Sequence, residues 1–179
     1  MTSFDKTSSI LKGESDRGAV LIAAAMLELG LEKLLVAKLL PSTSSKDTLF
    51  DNNGALGTFS SKIEMSYRLG LITFKQKNMF NIFRRIRNEF AHSANAITLV
   101  EPSIRSKLNA AIEGHPAKKA FLEHLKEIAP MWGGQPENVH GSVSPRELFE
   151  LIFGLEVEFL NIALIGVDRV KEKNDSYYV

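Results

Sequence analysis

The sequence predicts an all-α protein, a single-domain bundle of several helices. Apolar residues recur at the spacing of one helix face. One such series comprises Val20, Ala24, Leu27, Leu31 and Leu34. No long segment alternates apolar and polar side chains as a half-buried strand does, and 96–100 is the only candidate. Segment 148–170 is apolar on nearly all sides, which predicts a long, largely apolar C-terminal helix in the bundle centre or at a subunit interface.

The first predicted helix lies near the start of the chain. Residues 1–15 are polar and mixed in charge, so we expect a flexible N-terminus there. Asp16 can cap a helix over 17–40, and Pro41 ends it, since proline cannot continue a helix.

A glycine-containing loop precedes the second helix. The positions of Gly54 and Gly57 predict tight turns with positive φ. Thr58 or Ser60 can cap the next helix, and Gly70 suits its C-terminal cap.

The rest of the chain also has helical periodicity. Three further helices are predicted over 75–91, 103–113 and 116–128. Segment 130–143 has the composition of a loop. Ser144, Pro145 and Glu147 form a strong helix start, because proline fits the first helical position, and the last helix is predicted over 145–173.

Composition limits the class of protein. The 179 residues suit one domain over 1–179, and the net charge of +1 creates no field that attracts DNA or anionic membranes. The chain has no cysteine, which excludes disulfides and thiolate metal sites. The long apolar segments carry too many charges to cross a bilayer. We therefore expect a cytoplasmic, soluble protein.

Polar side chains collect on two predicted helices and one loop. Arg17 and Glu28 lie about three turns apart on the first helix, and so share a face. Acids on this helix and bases near the end of helix 75–91 both need partners. We predict one polar interaction site that contains Arg17, Glu28, Glu32, Asp51, Arg84, Arg87, Asn88 and His92.

Arg87 and His92 have the spacing R-x4-H, which admits two interpretations. Histidine can act as an acid or base near neutral pH and arginine can hold a phosphate, which together favour RNA cleavage. The more frequent role of such residues is to bond helix C-terminal carbonyls and neighbouring acids.

Other motifs indicate structure rather than chemistry. The GxxG at 54–57 lacks the mixed α/β context of a nucleic-acid clamp, so a structural turn is expected. The histidines have no metal-ligand spacing, and no nucleotide-binding motif is present, so we expect no metal and no cofactor. The helices 59–69 and 75–91 do not fit a helix-turn-helix, because the arginines lie at the far end of the second.

Several segments together resemble the mannitol operon repressor family (MltR-like). They are DRGAVLI at 16–22, LFD at 49–51, LGTFS at 56–60, LGLI at 69–72 and IRNEFAH at 86–92. The resemblance covers residues 15–95 well, and the rest agrees in length and helical character.

The resemblance implies an all-helical transcriptional regulator of a mannitol uptake operon, without a recognisable DNA-binding domain and not an enzyme. It implies repression through a protein partner, such as a DNA-binding regulator or transport component, or through an unrecognised DNA contact. We expect weak or absent direct DNA binding and either a homodimer or a partner-binding face.

The R-x4-H element is also similar to the HEPN superfamily of RNases and nucleotide-handling domains. Arg87, Asn88 and His92 match that motif position by position, and little else does. This resemblance implies an alternative function as a metal-independent RNase or nucleotide-binding domain, with these three residues as the catalytic group.

Overall fold

The computed structural model describes residues 3–45, 47–113, 115–132 and 143–173, and the regular structure within them is entirely helical. The elements are α1 Ser3–Lys12, α2 Asp16–Lys38, α3 Phe59–Arg68, α4 Phe74–His92, α5 Pro102–Ile112, α6 Pro116–Ile128, the 3₁₀ turn Ala129–Trp132 and α7 Pro145–Ile165. The all-α prediction is confirmed, and 96–100 does not form a strand.

Several helices begin and end at residues with a clear physical reason. Thr58 caps α3 through a reciprocal bond with Ser61, and Ser144 caps α7 in the same way with Glu147, as predicted. Gly70 follows α3 with φ of 70°, and the adjoining backbone bonds form a Schellman motif.

The start of α2 differs from the prediction. Ser15, not Asp16, is the N-cap, and its hydroxyl accepts the Gly18 N–H at 3.1 Å. The carboxylate of Asp16 is engaged elsewhere, because it accepts the Leu99 N–H at 2.8 Å.

The expected flexibility of 1–15 was wrong over most of its length. Residues Ser3–Lys12 form α1, which packs mainly on α7, and Leu11 is fully buried in the core. Segment 130–143 begins with the end of the 3₁₀ turn, and its residues 133–142 lie outside the described part of the chain.

The core is built around α2, which contacts α7, α4 and α3. Between α4 and α7, the Phe83 and Phe153 rings lie 3.8 Å apart, and Phe149 lies 4.3 Å from Phe153. Each buried aromatic ring of this kind contributes a few kcal/mol, about 3–5 on truncation to alanine. Buried residues of α1–α5 and α7 form one cluster, and the partly buried Ala117 of α6 packs against it.

Helix α7 is shorter than predicted. It ends at Ile165 rather than near 173, because the chain turns at Gly166 and Val170 N–H then donates to the carbonyl of Lys38 at 2.8 Å. The helix also buries two acids, Glu150 and Glu156. In the described ranges no helix has the length and apolar content to cross a membrane.

The loop before α3 is a series of turns. Gly54 N–H donates to Asp51 O at 2.7 Å, and Gly57 N–H donates to Gly54 O at 3.0 Å. The predicted positive φ at both glycines was wrong. Glycine is required for space, because a Cβ at Gly54 would collide with the carbonyls of Thr48 and Leu49, and one at Gly57 with that of Asp51.

Candidate functional site

Glu28 and Glu32, two acids of the predicted site, form ion pairs with a buried lysine that was not predicted. Lys62 on α3 places Nζ 3.1 Å from Oε1 of Glu28 and 2.7 Å from Oε2 of Glu32. The Lys62 side chain is only 6% exposed. A buried ammonium needs such partners, because its desolvation is otherwise costly. We call Lys62, Glu28, Glu32, Arg87 and Asn88 the Lys62 cluster.

The protonation of Lys62 follows from this environment. Burial by itself lowers the pKa of the Lys62 ammonium. The hydrogen bonds and negative charges of Glu32 and Glu28 together raise it by more than burial lowers it, so the pKa of Lys62 lies above its ordinary value of 10.5. Lys62 is therefore a structural cation at neutral pH rather than a proton donor or acceptor.

Arg87 lies at the edge of the Lys62 cluster. Its Nη2 is 3.8 Å from Oε2 of Glu28, which is an ion pair without a good hydrogen bond, and Nη1 donates to Oδ1 of Asn88 at 3.1 Å. The side chain is 34% exposed. Arg87 therefore keeps N–H donors that solvent or a bound anion can reach.

Arg17 does not belong to this cluster. Its Nη2 donates to the carbonyls of Ser93 at 2.8 Å and Asn95 at 2.7 Å, and so holds the segment after α4 against the start of α2. Arg17, Glu28 and Glu32 all lie on α2, but they bind different partners. Arg17 bonds the segment after α4, whereas the two acids pair with Lys62.

The other predicted residues have different environments. His92 is the last residue of α4 and is exposed. Arg84 is half-buried, and its Nε is buried with no hydrogen-bond partner among the described residues. Asp51 is half-buried in the loop, beside a recess that Asn52 and Asn53 also line.

Arg87 and His92, the two residues of the R-x4-H element, point in different directions. Residues at this spacing lie about 140° apart around a helix. Arg87 is directed toward Glu28 on α2, whereas His92 is solvent-exposed at the helix end. The pair therefore presents two distinct groups at the surface near the end of α4.

A second network, centred on Arg146 in α7, was not predicted. Its guanidinium donates to Asp16 Oδ1 at 2.7 Å, Glu150 Oε1 at 2.6 Å and the carbonyls of Leu11 and Glu14 at 2.5 Å and 3.0 Å. Burial lowers the pKa of Arg146 but the bonds to Glu150 and Asp16 raise it more, so it stays charged. The only sequence signal was Glu150 one helical turn after Arg146.

A third polar group contains His115, which the sequence analysis considered only as a metal ligand. Its Nε2 lies 2.9 Å from Oε1 of Glu156, and Gln76 donates to Oε2 of Glu156 at 3.0 Å. Across the described ranges, no group of three or more His, Cys, Asp or Glu side chains has metal-binding geometry.

Comparisons with known proteins give a likeness of fold. No family model matches the sequence. No curated protein matches it either. A chain in the X-ray structure of the MtlR-HPr complex from Escherichia coli is similar in structure, with a TM-score of 0.59 and 16% sequence identity. The likeness covers 89% of this chain and 99% of that chain. The shared fold agrees with the resemblance to the mannitol operon repressor family.

Proposed function

We propose that this protein is a transcriptional regulator, a cytoplasmic repressor of a sugar-alcohol uptake operon such as that for mannitol, which acts by binding another protein. The observation that carries the proposal is the fold shared with a chain of the MtlR-HPr complex over 89% of the sequence. The segments at 16–22 and 86–92, which resemble the repressor family, support it independently.

A protein partner fits the charge of the molecule better than DNA does. The net charge of +1 permits little counterion release, which supplies most nonspecific DNA affinity. A complex of a structurally similar chain with HPr makes the HPr of the same cell the first partner to test. A DNA-binding regulator or a transport component is the next.

We place the partner contact on the exposed end of α4, which we call the α4 terminal surface. It consists of Arg84, Arg85, Arg87, Asn88 and His92. Arg85 and His92 are exposed, Arg87 is 34% exposed with N–H donors that a partner can reach, and Arg84 is half-buried. Arginines in this state form strong bidentate contacts with carboxylates, so the partner should present an acidic patch. Glu28 would support this surface through its ion pair with Arg87, and Arg17 by holding the segment after α4. Glu32 and Asp51 stay predicted members of the site.

Charge reversal tests the site. Arg85→Glu with Arg87→Glu should weaken binding to purified HPr about tenfold or more in calorimetry, because like charges would then face each other. Arg169→Glu is the matched control. It follows α7 next to Val170, which bonds Lys38 at the far end of α2. On α2, Glu28, the ion-pair partner of Arg87, lies ten residues or about 15 Å of helix before Lys38, so the control lies outside the α4 terminal surface.

The outcomes separate site from function. Equal binding by both variants would remove the α4 terminal surface as the contact. Absence of binding to HPr, together with tight and salt-sensitive binding of the purified protein to operator DNA, would contradict the partner mechanism.

The RNase alternative has one observation in its favour. Exposed His92 and partly exposed Arg87 lie near the same helix end, where a second subunit could complete an R-x4-H site. Cleavage of a single-stranded RNA in the presence of a chelator, abolished by His92→Ala, would establish it and replace the regulator proposal.

A homodimer is also proposed. The α7 side chains of Phe159, Ile162 and Ile165 are 43%, 55% and 87% exposed, and lie at helical spacing on one side. A second copy would remove this apolar surface from water.

A further inference from the structure

A cavity of about 460 Å³ lies where the starts of α4 and α6 meet the end of α5 and the middle of α7. Its walls are mostly apolar. They include Met79, Ile82, Ala111 and Phe159. Gln76, His115 and Glu156 form a polar group on its buried side, and the exposed Thr73, Lys75, Asn78 and Glu113 also line it. A cavity with apolar walls and a few convergent polar groups is the usual form of a small-molecule site.

Glu156 is the buried acid of this cavity, and its side chain is only 2% exposed. Each carboxylate oxygen accepts one hydrogen bond, Oε1 from His115 and Oε2 from Gln76. The direction of the Gln76 bond is fixed, because its own carbonyl oxygen accepts the Thr73 N–H at 3.0 Å. The amide nitrogen must therefore donate to Glu156.

The hydrogen bonds of the histidine that faces Glu156 define the position of its ring hydrogen. Nδ1 of His115 accepts the Ala117 N–H at 3.2 Å, so it carries no hydrogen, and the ring proton lies on Nε2. Nε2–H then donates to Glu156. Both partners of the carboxylate are thus neutral dipoles.

The negative charge of Glu156 consequently lacks a cation. Among the described residues, His115 is the sole basic side chain within 4.0 Å of it. Buried carboxylates are normally paired with a positive charge, because dipoles alone compensate desolvation incompletely. At the rim, Lys75 and Glu113 are exposed, and Glu113 is paired with Lys118 at 2.9 Å, so Glu156 is the one acid of the lining that is buried.

We propose that this cavity binds a small organic cation, an apolar body that carries a protonated amine. The ammonium donates to spare lone pairs of Glu156, and the body packs against Met79, Ile82 and Phe159. An anion is excluded by the charge of Glu156. A neutral polyol would leave that charge unpaired and would match the apolar walls poorly.

Three matched probes test the chemistry. They are 2-phenylethylammonium, the neutral 2-phenylethanol and the anionic phenylacetate, which share one apolar body. Titration followed by NMR should show saturable binding of the ammonium probe at Glu156 and its neighbours. We expect 2-phenylethanol to bind about tenfold more weakly and phenylacetate not at all, because only the cation compensates a buried carboxylate.

Variants localise the probe. Glu156→Gln removes the charge at constant shape and should weaken the ammonium probe about tenfold or more. The same change at exposed Glu123 on α6 is the control and should have no effect. Ala110 is exposed at the rim, so Ala110→Phe should fill the cavity and block binding without disturbing the core. This variant tests the site if Glu156→Gln fails to fold.

Three results would overturn the proposal. One is failure of the ammonium probe to bind, and another is equal affinity for the alcohol. The third is unchanged affinity in a folded Glu156→Gln or Ala110→Phe variant. None of them bears on the α4 terminal surface, so the proposed function stands or falls separately.

Discussion

The guanidinium of Arg146 lies 2.7 Å from the carboxylate of Asp16, although 130 residues separate them in the chain. The same guanidinium donates to the carbonyl of Leu11 at the end of α1 and to that of Glu14 in the turn between α1 and α2. Arg146 therefore fixes the start of α7 against the α1–α2 turn.

Arg146→Met should lower the free energy of unfolding by about 2–3 kcal/mol. The Arg146 side chain is 22% exposed, so the expected loss lies between the small cost of removing an exposed ion pair and the cost of about 3–5 kcal/mol for a fully buried one. Urea denaturation measures it. Lys119→Met, which removes an exposed pair with Glu123, is the control and should cost less than about 0.5 kcal/mol. Equal losses would show that the Arg146 network contributes nothing special.

Lys62 should make stability depend on alkaline pH. Its folded-state pKa lies above the ordinary 10.5, so the stability it contributes is fully present below 10.5 and is lost as the pH rises through the folded value. The difference in unfolding free energy between wild type and Lys62→Met should therefore shrink above that pH. Urea titrations at about pH 8 and about pH 11 measure this difference. A constant difference would mean that packing, not charge, is what Lys62 supplies.

Gly57→Ala should destabilise the loop before α3 by about 1–3 kcal/mol, because the added methyl group would collide with the carbonyl of Asp51. Gly13→Ala is the matched control. Its nearest neighbour would be the Ile10 carbonyl oxygen at 3.7 Å, so a change within about 0.5 kcal/mol is expected. Thermal unfolding compares them, and similar melting temperatures would refute the close-approach explanation.

Arg87→Ala and His92→Ala should lose repression of a reporter operon while their melting temperatures stay near that of the wild type. His92 is exposed, and the Arg87 ion pair is long at 3.8 Å, so little folding energy depends on either. If repression and stability fall together, the Lys62 cluster is structural and these residues form no functional site.

Ile162→Lys should convert a dimer to a monomer in light scattering, because it places a charge in the exposed apolar side of α7. The exposed position predicts an unchanged fold by circular dichroism. A wild-type protein that is already monomeric would remove the homodimer from the proposal.

The helices were predictable where the signal is local. Ser144 and Glu147 define the start of α7 by their spacing, and the apolar series in α2 defines its buried face. Helix α1 was missed because its sequence is mostly polar. Its stability comes from Leu11 in the core and from Arg146, contacts that no local pattern contains.

The candidate site was predicted in part for the same reason. Glu28 and Glu32 were recognised as acids that need bases, yet their main partner, Lys62, lies on another helix in a polar segment. Helical spacing identifies residues that share a face, but it does not specify which helix packs against that face. Cavity residues such as Glu156 and Gln76 come from helices far apart in sequence.

The contact of α1 with α7 has a consequence for biosynthesis. The ribosome produces α1 before α7, so α1 can contact α2 as soon as that helix is made but lacks its main packing partner until α7 follows. Until then, the side of α1 that packs on α7 stays uncovered. Translation that stops before Ser144 would leave Asp16 without Arg146, and such a fragment should be cleared by proteases rather than accumulate as a shorter regulator.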